Sequence, residues 1–440
     1  MPEALADLLA ALPPRAEDAV ITGALLLPVL LLGAVILRGF AVLPLLGGLL
    51  RRQAWVSVVF TLLIAVSVGI GVGLIAQERG LREGSARAAE KFDLVIAAPG
   101  SEITAMLAAV YLQPSALPLL DGETYAQIAA HPRAELVAPI AFGDSWRGAP
   151  VVGSTAAFVR HLSEGLAQGR MFEREREAVA GARVPLGIGE SFTPAHGHGE
   201  AAEADAHEGF AYEVVGRMPR TGSPWDRALI VPVEAVWTVH GLASGHAPGW
   251  DGTLGPPFDA AYFPGTPAAL VTADSLGGTY VMQAAFNTGQ TMAFFPGTVL
   301  ARLHALMGDI RQVMSVLAVV TQVLVTAGVL AGLLLLIRLL ARRLALLRAL
   351  GAPRRFVFAV TWSFALTLIL AGATLGIGIG VLATRAISAV ITERTDVLVT
   401  AALGWPELQL VAGFVSLTAL LALVPAWLTM TRPVIGDLRG

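Results

Sequence analysis

Two apolar stretches, residues 313–337 and 356–383, are joined by a run that holds Arg338, Arg342, Arg343, Arg348, Arg354 and Arg355 and no acid. Each stretch is long enough to cross a bilayer, where a chain must satisfy its own backbone hydrogen bonds and so becomes helix. Clustered arginines are costly to translocate, which fixes this end of both helices on the cytoplasmic side. Within the run, Leu344, Leu347 and Leu350 recur at helical spacing. They predict a short amphipathic helix over 338–355, lying at the membrane surface or in a partner's groove. Gly351 and Pro353 read as its stop.

The other apolar stretches follow the same charge rule. Residues 20–37 carry no charge, but the tail before them holds Glu3, Asp7, Glu17 and Asp18 against Arg15 alone, unlike the basic start of a cleaved signal. An extra membrane helix with an outer N-terminus is expected here, with a half-inserted or interfacial segment as the alternative because Pro28 interrupts it. Residues 38–53, with Arg38, Arg51 and Arg52, read as an amphipathic cytoplasmic connector. Residues 55–76 and 408–430 complete the spans, and Arg432 and Arg439 end on the cytoplasmic side. Gly69, Gly71 and Gly73 in one span permit close helix contact or local bending but are equally ordinary in a membrane helix, and another span carries Gly376, Gly378 and Gly380.

Only 14% of residues are charged, against about a quarter in soluble domains. A net charge of −3 gives no reason to expect nucleic acid as a partner, and the absence of cysteine excludes disulfides, iron–sulfur clusters and thiolate zinc sites. Between residues 77 and 309 hydropathy falls. Strands are predicted at 92–98, 136–140, 212–215 and 228–231, a helix over 155–166, and a mobile loop over 195–209. The expected fold is an α-helical membrane protein with a large α+β extracytoplasmic domain, four core transmembrane helices and an extra N-terminal one. The expected parts are 1–37, a tail and the extra helix; 38–76, connector and first core span; 77–312, the outer domain with stalk ends at 77–91 and 300–312; and 313–440, three membrane helices and the helix 338–355.

Chemistry-bearing motifs are few. The loop places His196, His198 and His207 within thirteen residues of sequence that also hold Glu200, Glu203, Asp205 and Glu208. These are suitable zinc ligands in a glycine-rich setting, against the plainer reading of a solvated acidic loop. His304 reads as a stalk packing residue, and His131, His161, His240 and His246 receive no role. Gly143-Asp-Ser-Trp-Arg147 starts like a nucleophile elbow, but Arg147 stands where the turn needs glycine. Asp226 and Arg227 are placed to pair locally after a Gly-Ser-Pro turn. There is no His-Glu-x-x-His zinc-protease motif and no Gly-x-x-x-x-Gly-Lys-Ser/Thr phosphate loop, so any ATP hydrolysis is expected from a separate partner. Ionisable residues are nearly absent from the span interiors, which weakens a secondary transporter or channel reading.

The run Leu346-Leu347-Arg348-Ala349-Leu350-Gly351-Ala352 resembles the inner-loop motif of the MacB/FtsX-type (type VII) permeases of ABC transporters. The strand-turn-strand sequence 214–234 and the segment 93–101 are similar to parts of that family's outer domain. The family's glutamate ahead of the motif is replaced by Arg343. The resemblance implies a homodimer served by cytoplasmic ABC ATPase subunits, with ATP bound by that partner and no cofactor bound directly. It implies a bacterial inner-membrane location with the large domain in the periplasm, and a periplasmic adaptor or substrate-binding protein beside the membrane lipid. Leu344, Leu347, Arg348, Leu350 and Gly351 would then form the helix that couples to the ATPase. Function is expected as export or envelope-substrate handling, with a zinc link that the family's metal-associated members suggest. The rivals are lipoprotein release and a non-transporting scaffold that activates a periplasmic partner.

Overall fold

The computed structural model describes residues 13–113, 115–196, 210–306, 308–395, 398–400 and 402–431. They form two compact units: a helical one drawn from residues 1–80, 309–388 and 400–440, and an α+β one drawn from 81–308 and 389–399.

The chain begins with helix α1 (Pro14–Leu37), which continues through Pro28. The connector folds as α2 (Leu43–Arg52), with Leu46 buried and Arg51 and Arg52 in its last turn. Helix α3 (Ala54–Ala89) is one uninterrupted element, so the polar stretch after residue 76 extends the span as expected. Its last residues, 81–89, belong to the α+β unit. There Ala88 and Ala89 are buried, and the Tyr111 hydroxyl donates to the Ser85 carbonyl at 2.8 Å.

In the α+β unit the elements run β1 (Leu94–Ala97), α4 (Glu102–Ala109), α5 (Gly122–Ala129), β2 (Ala134–Pro139), β3 (Ala141–Trp146), β4 (Ala149–Ser154) and α6 (Ala156–Ser163). They continue with β5 (Gln168–Gly169), β6 (Glu177–Ala180), β7 (Ser191–Phe192), β8 (Ala195–His196), β9 (Tyr212–Arg217), β10 (Leu229–Pro232) and α7 (Val233–Val239). Last come β11 (Ala268–Ala273), α8 (Leu276–Phe286), β12 (Met292–Phe294) and α9 (Pro296–Leu306). One antiparallel sheet has the order β12-β1-β11-β2; the other, mixed, has β5-β9-β6-β10-β4-β3-β8, with β7 also on β9. Side chains alternate across a strand, and both faces of these strands are covered. Val95 and Ile230 enter one hydrophobic core, whereas Leu94, Ile96, Leu229 and Val231 enter another. Short helices start at side-chain caps: Ser101 accepts from Thr104, Asp121 from Thr124, Thr155 from Phe158 and Ser275 from Gly278.

The helical unit is completed by α10 (Gly308–Ala349), α11 (Arg354–Thr395), α12 (Trp405–Leu421) and α13 (Leu423–Thr431). Among the described residues, four helical stretches are long and apolar enough to cross a membrane: Arg15–Leu37, Ala54–Ala89, Arg354–Arg394 and Trp405–Thr431. In α10, Val319–Gly332 is a shorter apolar segment. Ile64, Val68 and Val72 of α3, Trp362 and Leu368 of α11, and Val411 and Phe414 of α12 share one core, which also takes in Val29 of α1. The extra N-terminal helix is tied to α12, since Gln409 donates to Asp18 at 3.0 Å and the Ser416 hydroxyl donates to the Leu25 carbonyl.

The glycines separate by role. A Cβ on Gly376 would stand 2.7 Å from Val68 Cβ, and one on Gly380 would stand 2.8 Å from a Val72 methyl, so α3 and α11 approach too closely for a side chain. Gly378, on another face, has nothing within 4 Å.

Candidate functional site

The expected short helix over 338–355 is not a separate element. Arginine, leucine and alanine are strong helix formers, and nothing interrupts them before Gly351. Residues up to Ala349 therefore end α10, and α11 starts at Arg354. The stop falls where the sequence places it. The Ala352 N–H donates to the Leu347 carbonyl at 3.0 Å and the Gly351 N–H to the Arg348 carbonyl at 3.1 Å, the paired bonds of a Schellman motif. Gly351 has φ +98°, which a side chain would strain.

The leucine face is also corrected. Leu347 is partly buried against the core of the helical unit, while Leu350 is 85% exposed and Leu346 is 49% exposed. Leu350 is the cap residue, past the last helical position, so its direction no longer follows the helical period. The apolar surface at this tip is thus Leu346, Ala349 and Leu350, with half-buried Arg348 beside them. Leu344 lies in α10; its side chain is outside the described residues.

A second constellation forms in the α+β unit. In the β3–β4 pair, Ala141 stands opposite Gly153 and Asp144 opposite Val151, so β3 takes up one extra residue. The bulge sets Asp144 on the same face of β3 as Ala141, and because both faces of the sheet are covered Asp144 and Ser145 are both buried. Antiparallel β8 places His196 directly opposite Asp144. His196 Nδ1 lies 3.2 Å from Asp144 Oδ1. The other imidazole comes from the end of α7: His240 Nε2 is 3.5 Å from the same oxygen. His240 Nδ1 is 2.6 Å from the Val236 carbonyl, which can only accept, so Nδ1 carries a proton and Nε2 is turned toward Asp144. The hydrogen bond to Asp144 raises the His240 pKa against the burial that would lower it. Tyr212 is pushed up as well, chiefly by burial, with the Asp144 charge adding to it.

His196 is the one expected metal ligand among the described residues; His198 and His207 lie outside them. The expected loop 195–209 begins instead as strand, because Ala195 and His196 pair with β3; residues 197–209 lie outside the described residues. Sequence reading missed Asp144 and His240. The available signal was an acidic residue within an otherwise strand-forming segment, which was weighed only as part of a failed nucleophile elbow.

Residues 315–434, which take in the apolar segment of α10 and the stretches Arg354–Arg394 and Trp405–Thr431, match the family model described as FtsX-like permease C-terminal. The likeness to FtsX-like permeases rests on this C-terminal part of the chain. No curated protein matches it. Among solved structures it is similar to the periplasmic region of MacB from Actinobacillus actinomycetemcomitans, at 11% identity over 50% of this chain and 95% of that one, with a TM-score of 0.29. It is also similar to the extracellular domain of the noncanonic ABC-type transporter YknZ from Gram-positive bacteria, at 11% identity over 46% of this chain and 98% of that one, with a TM-score of 0.28. By its four long apolar helices the chain is a membrane protein, with a separate α+β unit.

The α+β unit includes a piece that the sequence boundaries 77–312 and 313–440 assigned elsewhere. Residues 389–399, at and beyond the end of α11, belong to it. The Leu398 N–H donates to the Gly222 carbonyl at 3.2 Å, Arg183 donates to the Thr392 carbonyl at 2.9 Å, and Val399 is buried in the core. The anchoring turn is built differently from the local Asp226–Arg227 pair expected. Asp226 accepts from the Thr221 and Gly222 N–H groups at 2.7 and 3.0 Å, because the turn points those donors inward, while Arg227 reaches the Glu393 carbonyl at 3.3 Å. His304 sits 3.3 Å from the Ser85 hydroxyl, joining the two stalk ends as a packing residue. A cavity of ≈ 430 Å³ is lined by Thr155, Arg160, Phe172 and Glu234. Burial pushes the Glu234 carboxyl up, opposed by the Gly255 N–H and His246.

Proposed function

We propose that this chain is the permease subunit of an ABC transporter of a bacterial inner membrane, a homodimer that carries ATP-driven motion from cytoplasmic ATPase subunits to its periplasmic unit. The observation that carries this reading is the glycine-closed tip of α10, which presents Leu346, Ala349 and Leu350 among arginines. An apolar knob on a rigid helix end, flanked by cations, suits a groove on a soluble partner. The replacement of the family's acid by Arg343 leaves docking to the apolar tip and Arg348.

Mechanical transmission is favoured over a substrate path through the bilayer by the outer unit's composition. It takes in residues from three regions that adjoin membrane helices, 81–89, 296–308 and 389–399, so helix movement has three covalent routes into it. In this reading the work is done on an exported molecule or envelope substrate presented by a periplasmic adaptor or substrate-binding protein. A link to zinc would enter through the outer unit's histidines.

The test is purification of the detergent-solubilised chain from its native host. An ABC ATPase co-eluting at equimolar ratio, and hydrolysing ATP faster with the permease than alone, is the expected result. A chain that purifies without any ATPase, and does not alter hydrolysis by the ABC ATPases of that host, overturns the proposal.

A further inference from the structure

We propose that Asp144, His196 and His240 form a binding site for a divalent transition cation of the zinc type in the extracytoplasmic unit. The three donor atoms lie within 4.8 Å of one another. The Asp144 Oδ1 to His196 Nδ1 and Asp144 Oδ1 to His240 Nε2 distances are 3.2 and 3.5 Å. Ligands at about 2.05 Å from one tetrahedral ion stand about 3.3–3.4 Å apart, so both separations match an edge of such a tetrahedron. Two imidazoles and one carboxylate are a donor set that zinc and its neighbours accept, and that magnesium or calcium, with their preference for oxygen, do not.

The surroundings orient the donors as metal ligands are oriented. Val236 holds the Nδ1 side of His240 through its carbonyl, leaving Nε2 to face the site. Asp144 is 2% exposed, and the bulge in β3 turns it inward at the place where β8 delivers His196. Gly143, next to Asp144 in the bulge, has φ +153°, a backbone conformation that side chains rarely adopt. The His196 side is 49% exposed, which gives an ion a way in from solvent. The proposal is independent of the ATPase-docking reading, because every residue it uses lies in the α+β unit.

The experiment uses the full chain in detergent, stripped with a chelator and titrated calorimetrically with zinc chloride near neutral pH. One equivalent of zinc should bind, and His240→Ala, His196→Ala and Asp144→Asn should each weaken it by at least about tenfold. Cobalt(II) substituted into the parent should show the absorption of a tetrahedral nitrogen–oxygen site, lost in His240→Ala. Melting of the metal-free variants, followed by tryptophan fluorescence, controls for folding. Should Asp144→Asn fail that control, His196→Ala decides, since its side chain is half exposed. Absence of saturable zinc binding by the parent overturns the proposal. So does zinc binding that survives His196→Ala and His240→Ala unchanged and disappears only in the His198→Ala/His207→Ala double variant.

Discussion

Leu350→Asp isolates the docking tip from the fold. With 85% of its surface exposed, Leu350 contributes little to folding, so the variant should melt within about 0.5 kcal/mol of the parent. In a complex the position changes character. Burying a leucine side chain contributes about 1.5–3 kcal/mol, which the aspartate forfeits; that alone is about 10- to 150-fold in affinity for the ATPase. Desolvating an unpaired carboxylate adds several kcal/mol more, enough to abolish complex formation at micromolar concentrations. Leu350→Ala removes only the first contribution and should fall between parent and aspartate. Leu347→Asp cannot replace either variant, because Leu347 packs partly within the helical unit and its loss would disturb folding and docking together. The assay is size-exclusion co-elution of permease and ATPase, with ATP hydrolysis measured on the same fractions. An aspartate variant that melts like the parent and still co-elutes with full stimulation of hydrolysis refutes the docking assignment.

Gly376→Ala should lower the melting temperature of the solubilised chain by an amount equivalent to about 1–3 kcal/mol, because the new Cβ meets Val68 at 2.7 Å and the Ala65 carbonyl at 2.8 Å. Gly378→Ala should change it by less than about 0.5 kcal/mol; equal effects at the two positions would refute the close α3–α11 approach. In the α+β unit the Arg170 guanidinium bonded to Glu177 pulls that carboxyl down from 4.5 to about 2, helped by the Glu173 and Arg174 N–H groups and opposed by burial. A lowered folded pKa means that this stabilisation is complete above the unfolded value of 4.5 and is lost as pH falls through about 2. Hydrogen exchange at β6 should therefore accelerate as pH drops through that window, beyond the intrinsic pH effect. Glu177→Gln should flatten the response, and an identical pH dependence in the variant would refute it.

Much of the scaffold was legible because it obeys a period. The runs at 92–98, 136–140, 212–215 and 228–231 became strands since each is a short apolar segment bounded by turn residues, and 155–166 became a helix since Thr155 caps it and Phe158, Val159 and Leu162 share its buried face. Strands β3 and β6 escaped notice because Asp144 and Glu177 break the apolar pattern. Both carboxylates are buried only by virtue of partners supplied by other segments: Arg170 for one, the imidazoles of His196 and His240 for the other. Residues 389–399 were grouped with the three C-terminal membrane helices because hydropathy registers where a span ends and not what the chain beyond it pairs with.

The two sites share a cause. At the end of α10 a Schellman turn at Gly351 releases Leu350 from the helical period and turns it outward; in the α+β unit a bulge after Ala141 shifts Asp144 to the other face of its strand. A strict period would have placed Leu350 with Leu347, and would have set Asp144 on the face of β3 opposite Ala141 instead of on the same face. Periodicity in this sequence therefore locates the elements that carry each site, and the local breaks in that periodicity, at a glycine or at an extra residue, decide which side chains the sites present.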